Sequence, residues 1–419
     1  MRAAARALPP VAGAAGPGAL SAVACRTPAR HRALWISVYR RCQYRCGSRP
    51  PAGRARARMF PLAGVARRRC ADGARPLHIG LVGELPVVTW EQISDADATA
   101  SWDRRLLGFD DYSIYQSMAW GEHRRALGWT PYRWIALEDG QPVAMAQGLL
   151  RRYTGGVGVV WLPGGPVGAI RAWNSALQNT IRRTSQLNIV YCRFNSLCPV
   201  CDADLRALPG MRWQRPRSRL GARDSLLYDV AREETVRLDA CSKNWRHNLK
   251  RSRKSGYAVA LWDRPNAAEM RAVYAEMEGH KNLAQQHSEQ NLRALYAQAG
   301  DHLLTVSCRD AAGTLVAFRA CAVFGTRAWD MLAATAVAGR KTYASYATFW
   351  ALTQECHRRG IGQYDLSGVD PVGNRGVFDF KQGTGATLVE YLGEWEWASP
   401  SMFALPANWL IGKRRLEHQ

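Results

Sequence analysis

The sequence predicts an α/β protein whose ordered part is two similar halves. From about residue 84, apolar strands alternate with amphipathic helices, and the order helix, hairpin, helix returns after about residue 233. Hydrophobic residues are 47% of the 419 and charged residues 22%, ordinary globular usage with ample material for a core. No uninterrupted apolar run approaches the roughly 18 residues of a membrane-spanning helix.

The elements follow in order. Residues 1–75 hold 16 Arg, no Lys and one acid, Asp72, without a sustained period of 2 or 3.6. They read as a leader, a disordered tail or a spurious upstream extension before a start at Met59, with residues 1–58 expected to be dispensable. The first half is expected over 84–232. Trp134–Leu149 reads as strand, Asp-Gly turn, strand; Val157–Leu162 is a strand closed by Pro163-Gly-Gly-Pro166; 171–186 is helical and Ile189–Phe194 a strand. The second half, 233–400, repeats the order, with the join near Ala231–Val236. Asn266–Leu283 and Glu289–Ala299 are helical, Leu303–Cys308 and Leu315–Phe324 form a hairpin, and Ala328–Thr335 is a strand. A long helix at 343–359 and strands near Gln363–Leu366 and Thr387–Leu392 complete the half. Residues 401–419 form a C-terminal tail.

Charge is the compositional outlier. The chain carries 57 Lys+Arg against 34 Asp+Glu, a net +23; beyond residue 75 the balance is 41 against 33. A field of that size suits a polyanionic partner: a nucleic acid, a nucleotide or an anionic membrane surface.

Most catalytic signatures are missing: no Gly-x-Ser-x-Gly elbow, no His-Glu-x-x-His, no Walker loop. Cys198-Pro-Val-Cys201 lacks the second pair a zinc site needs, and buried thiols are the reading there. His280 and His287, seven apart and near Glu276, read as polarity on one solvated helix face. No metal and no cofactor are expected.

Two stretches carry chemistry. Lys243–Lys254 holds six Lys and Arg in twelve residues, with Lys243, Arg246, Lys250 and Arg253/Lys254 on one helical face and Trp245 and Leu249 on another. Such a face suits phosphates, although a solvated basic helix has the same pattern. The second stretch runs from Tyr364-Asp365-Leu-Ser-Gly368 to Phe380-Lys381-Gln-Gly383-Thr-Gly385. It reads as a strand entering a glycine-rich turn that presents Lys381, where backbone N–H groups can approach a ligand; a snorkelling surface Lys is the alternative.

Over about residues 84–397 the chain resembles the FemAB family, aminoacyltransferases built from two GNAT-like domains. The resemblance rests on Gln116-Ser-Met-Ala-Trp120-Gly and Pro163-Gly-Gly165-Pro166-Val in the first half. In the second it rests on Arg246-His-Asn-Leu-Lys250, Lys341-Thr-Tyr343-Ala-Ser-Tyr346, Tyr364-Asp365-Leu-Ser-Gly368 and Phe380-Lys381-Gln-Gly383. It implies transfer of an amino acid from aminoacyl-tRNA onto an amine of a peptidoglycan precursor, in the cytoplasm, with Lys381 and Phe380 at the catalytic position. Substrate-binding roles are expected for Arg246, Lys250, Arg253, Lys254, Tyr343, Tyr346, Asp365, Trp120, Gly165 and Pro166. Peripheral contact with the inner membrane surface is a further expectation; a stable DNA partner is not. Residues 260–303 are too short for the coiled-coil arm of some members, and Val-Gly-Ala-Ile-Arg171 lacks an acid close after Pro166.

Amide formation needs amine deprotonation, orientation and oxyanion stabilisation rather than a protein nucleophile. Lys381 would serve a phosphate or the oxyanion; the base is either supplied by the substrate itself or is one of Asp365, Asp370 and Asp379. Two rivals remain. One is an acyl-CoA-dependent GNAT-type N-acyltransferase acting on an envelope or polysaccharide amine, for which Gly339–Tyr346 lacks the usual pyrophosphate-loop glycines. The other is a non-catalytic RNA-binding protein.

Overall fold

The computed structural model describes residues 88–416. The expectations for 1–75, including a start at Met59, lie outside the described residues. The first half runs β1 (Thr89–Ile93), α1 (Asp95–Leu106), α2 (Met118–Ala126), β2 (Thr130–Glu138), β3 (Gln141–Arg152), β4 (Val157–Pro163), β5 (Val167–Gly168), α3 (Ser175–Ser185), β6 (Ile189–Pro199) and α4 (Asp202–Gly210). There follow β7 (Asp224–Asp229), α5 (Glu234–Ala240), α6 (Lys243–Arg253), β8 (Ala258–Leu261), α7 (Ala267–Lys281), α8 (Glu289–Ala299), β9 (Leu303–Arg309), β10 (Leu315–Phe324) and β11 (Arg327–Thr335). The chain ends through α9 (Val337–Lys341), α10 (Ala344–Arg358), β12 (Gln363–Asp365), α11 (Arg375–Gln382), β13 (Thr387–Ser399) and α12 (Ala404–Leu416).

Local chemistry sets the boundaries. Side-chain oxygens of Ser94, Ser242, Asn266 and Ser288 accept from backbone N–H groups in the first turns of α1, α6, α7 and α8. Gly360, with φ of 73°, turns the chain after α10, as expected for a motif that closes a helix. α6 buries Trp245, Asn248, Leu249 and Ser252, the i, i+3, i+4, i+7 stripe of a helix packed on one side.

The strands form one mixed sheet in the order β1-β2-β3-β4-β6-β13-β7-β12-β11-β10-β9-β8, with β5 beside β3. Each half contains one parallel pair, β4 with β6 and β11 with β12. In both, the parallel strands are linked through a helix, α3 or α10, as the geometry of a parallel connection requires.

β13 joins the halves. Its first residues, Thr387–Glu390, pair with β7, and Tyr391–Ser399 pair with β6 after a bulge at Tyr391/Gly393. β7, which precedes the join expected near Ala231–Val236, hydrogen-bonds to β12 and β13 of the second half. One apolar cluster also spans both halves, bringing Trp102, Tyr115 and Met145 together with Tyr274, Phe318 and Trp329.

Beside the crossing, the Arg193 guanidinium is fully buried against Glu394 of β13, whose carboxylate also accepts from the backbone N–H of Leu220 (2.9 Å) and Gly221 (2.6 Å). Removing one partner of a buried ion pair strands the other in a low-dielectric interior. Glu394→Ala is therefore expected to cost about 3–5 kcal/mol of stability, read from urea unfolding. Glu394→Gln, which keeps an acceptor for the two amides, should cost less.

Candidate functional site

β12 carries Asp365 to the line where the halves meet. Its Oδ1 accepts from Ser225 Oγ on β7 and from Ser367 N at 2.7 Å; its Oδ2 accepts from Tyr391 OH on β13 at 2.8 Å. Burial pushes the Asp365 carboxyl above the ordinary carboxylate range; these three donors and the charge of Lys381 act in the opposite direction.

The loop after β12 is held in an unusual shape. Ser367 takes a left-handed φ of 59°, its Oγ donates to Asp330 O at 2.6 Å, and its own carbonyl accepts from Lys381 Nζ at 2.6 Å. Lys381 Nζ also donates to Gly368 O at 2.9 Å. A non-glycine residue keeps such a conformation only where its surroundings over-determine it, and here hydrogen bonds on both sides do so.

Lys381 differs from its sequence expectation in two ways. It sits on α11 rather than on a glycine-rich turn, because Asn374 caps a helix that simply includes Gly376. Its ammonium lies behind the loop, 1% exposed, clamping carbonyls instead of projecting into the cleft. Phe380, one residue earlier, points elsewhere, its ring 5.0 Å from Tyr346 and 6.1 Å from Trp245.

The cleft in front of Asp365 encloses about 660 Å³, counting the part open to solvent. Tyr115, Asn195, Ser225, Trp329 and Tyr391 line it together with three carboxylates, Asp224, Asp330 and Asp365. Asp330 receives the Arg319 guanidinium through two bonds of 3.0 and 2.8 Å and Tyr364 OH at 3.1 Å. Burial, followed by the neighbouring Glu390, raises Asp224 above the usual carboxylate value. A second cavity, lined by Asp110, Asp111 and Arg327, shares Leu197, Trp329, Asp365 and Tyr391 with the first. A third, lined by Arg215, Arg219 and Arg223, shares Asn195 and Ala222 with it.

The other expected residues fall outside this cleft. Trp120 is buried in the core, edge-on to Tyr115 at 4.9 Å; it is Tyr115 that reaches the cleft. Gly165 packs on Gln116, whose side chain would lie 2.4 Å from a Cβ at position 165, and neither it nor Pro166 lines the cleft. Gln116 in turn ties Pro163 O and Gln147 O together at 2.8 and 3.0 Å, so this motif builds the first half's frame.

Arg246, Lys250, Arg253 and Lys254 are exposed along α6, with Arg246 donating to Asp239 O and Cys241 O. Tyr343 lies under the Arg251 guanidinium, and Tyr346 accepts from Asn248, so these tyrosines join the basic helix and not the Asp365 cleft. His287 stands off α7, which ends at Lys281, and packs on Tyr274; no shared helix face with His280 forms. Sequence reasoning missed Ser225, Asn195, Asp330 and Tyr391, which lie on four separate strands and carry no local motif.

Lys381→Ala leaves two half-buried carbonyls without their donor and should destabilise the protein by about 1–3 kcal/mol, measured by urea unfolding. Full stability would mean that the loop does not depend on the ammonium.

Residues 316–407 match the model of the FemAB family. Among solved structures the chain is similar to FemX, at 12% identity over 73% of this chain and 96% of that one, with a TM-score of 0.64. Looser similarities are to a tandem GNAT protein from the clavulanic acid biosynthesis pathway (11% identity, 74% and 98% covered, TM-score 0.46) and to L-PGS from Bacillus licheniformis (15%, 64% and 86%, 0.42). No curated protein matches the sequence. The matched segment holds Tyr343, Tyr346, Asp365, Phe380, Lys381 and Tyr391, and the likeness to FemX is one of α/β fold.

Proposed function

We propose that the protein transfers an aminoacyl group from aminoacyl-tRNA onto a primary amine of a peptidoglycan precursor. The observation that carries this reading is the carboxylate-lined cleft behind which Lys381 is clamped. Three acids at one cleft attract an ammonium acceptor. A carboxylate whose proton affinity is raised by burial is also suited to take that ammonium's proton.

In this reading Asp365 is the general base. The amine, once deprotonated, attacks the ester carbonyl carbon; the C–N bond forms, the carbonyl becomes an oxyanion, and the C–O bond to the ribose then breaks. The carboxyl returns its proton to the departing ribose alkoxide, and the second amine proton leaves to water as the intermediate collapses, so that the amide nitrogen keeps one hydrogen. Tyr391 and Ser225 hold the carboxylate in place, and Asn195, which lines two of the cavities, is the side-chain candidate for an oxyanion donor. Lys381 is a positioning residue: it fixes the Ser367–Gly368 wall and contributes charge that keeps Asp365 from being more basic still. The exposed cations of α6 suit the phosphates of the tRNA.

The decisive experiment supplies purified protein with charged tRNA, or with acyl-CoAs, plus a peptidoglycan precursor, and identifies products by mass. Transfer from tRNA supports the proposal. Turnover with acyl-CoA alone would move the assignment to a GNAT-type N-acyltransferase, and RNA binding without transfer from either donor would defeat both.

Asp365→Asn should lower kcat by about 10² or more while changing KM little. In Lys381→Met the loss of a positive charge raises the Asp365 pKa further, so the acid limb of the kcat/KM profile should move to higher pH. A merely structural lysine would lower activity without moving that limb.

Lys250→Gln and Lys254→Gln should each weaken tRNA binding and reduce the slope of log K against log salt by about 1. Unchanged binding in both would reduce α6 to a solvated face.

A further inference from the structure

We propose that α12 and the arginine-rich loop it packs against form a docking face for an anionic lipid bilayer. Of the nine large apolar side chains most exposed among the described residues, four lie in this C-terminal segment: Met402 (72%), Leu405 (54%), Trp409 (64%) and Leu410 (49%). The opposite side of α12 is firmly seated. Ile411 is buried beside Tyr191 and Ala398, and Asn408 donates to both Glu396 carboxylate oxygens at 2.6 and 2.8 Å. The exposed apolar side is thus held outward by a helix whose other side is anchored in the sheet.

The loop is fastened to the same helix. Asn408 Oδ1 accepts from the backbone N–H of Arg217 (3.1 Å) and Ser218 (3.3 Å), and Leu220 packs into the same cluster as Ile411. Residues 212–223 contain five arginines, Arg212, Arg215, Arg217, Arg219 and Arg223, and no acid. Residues 401–416 add Lys413, Arg414 and Arg415, again without an acid. Lys413 Nζ lies 5.6 Å from the Trp409 ring centre, which keeps a cation beside the outward indole.

Charge and apolarity together select the occupant. A second copy of the chain would bring the exposed Arg217, Arg219 and Lys413 against their own counterparts at the same face, which repels. An RNA would meet the cations but offers nothing to the aliphatic side chains of Leu405, Leu410 and Met402. A bilayer bearing acidic headgroups satisfies both: apolar side chains enter the boundary between headgroup and acyl chain, Trp sits at headgroup level, and each nearby cation adds attraction. A helix of 13 residues, about 20 Å long, lies flat in such a surface; among the described residues no helix is long and apolar enough to cross a membrane. The face adjoins the arginine-lined cavity that shares Asn195 and Ala222 with the Asp365 cleft.

The proposal does not depend on the assigned reaction, and its test needs no turnover. Full-length protein is floated with vesicles of phosphatidylglycerol and phosphatidylethanolamine, and with vesicles of phosphatidylcholine alone. The expected result is salt-sensitive recovery with the anionic vesicles only. Leu405→Ser/Trp409→Ser and, separately, Arg217→Gln/Arg219→Gln should each lower the partition coefficient about tenfold or more, with melting temperatures near that of the parent. Equal recovery on phosphatidylcholine, or recovery unaffected by Leu405→Ser/Trp409→Ser, overturns the proposal. So does a concentration-dependent dimer in light scattering that Trp409→Ser abolishes, since the face would then belong to a second copy.

Discussion

A single strand carries the architecture. β13 is hydrogen-bonded to β7 at its start and to β6 along the rest, so the sheet of one half continues into the sheet of the other. Everything at the Asp365 cleft depends on that continuity. Ser225 comes from β7, Tyr391 from β13, Asn195 from β6 and Asp365 from β12, and these strands are neighbours only because β13 lies between the halves. A hinge of the kind that joins independent domains would have to break this ladder and the shared apolar cluster before the halves could swing apart. Access to the cleft therefore falls to side chains and to the segment between β12 and α11.

The cleft concentrates charge in a region that burial would otherwise keep neutral. Arg319 answers Asp330, Lys381 stands behind Asp365, and the charges of Arg223 and Arg219 act on Asp224. An unpaired carboxylate in such surroundings would protonate or draw in water; each of these acids instead retains a partner and so can remain near a substrate cation.

Much of the fold was legible because it follows local rules. Glu289–Ala299 is helical and Leu315–Phe324 a strand with the expected bounds, and the repeat of helix, hairpin and helix is visible as periodicity. The misreadings share a cause. Residues 376–383, with two glycines, read as a turn, yet the Asn374 cap and the packing of Phe378 and Phe380 make a helix. The C-terminal segment read as a tail because its apolar residues include an outward set with no core to meet. Of the site, Asp365 and Lys381 could be singled out from their neighbourhood in sequence. Ser225, Asn195 and Tyr391 could not, since what makes them functional candidates is the register of strands far apart in the chain. Trp120, Gly165 and Pro166 stood out as strongly, but their motifs encode close packing around Gln116.

The left-handed turn at Ser367 has a consequence for how variation at this site should be understood. Ser367 bonds at once to Asp365, Asp330 and Lys381, so each of those residues sets the geometry felt by the other two. Energies in such a network do not add: once one member is lost the loop relaxes, and a second loss removes interactions already weakened. A lineage can then cross this site only in a restricted order, because a change at Asp330 tolerated in one background is not tolerated in another. The four residues behave as one heritable character rather than as four.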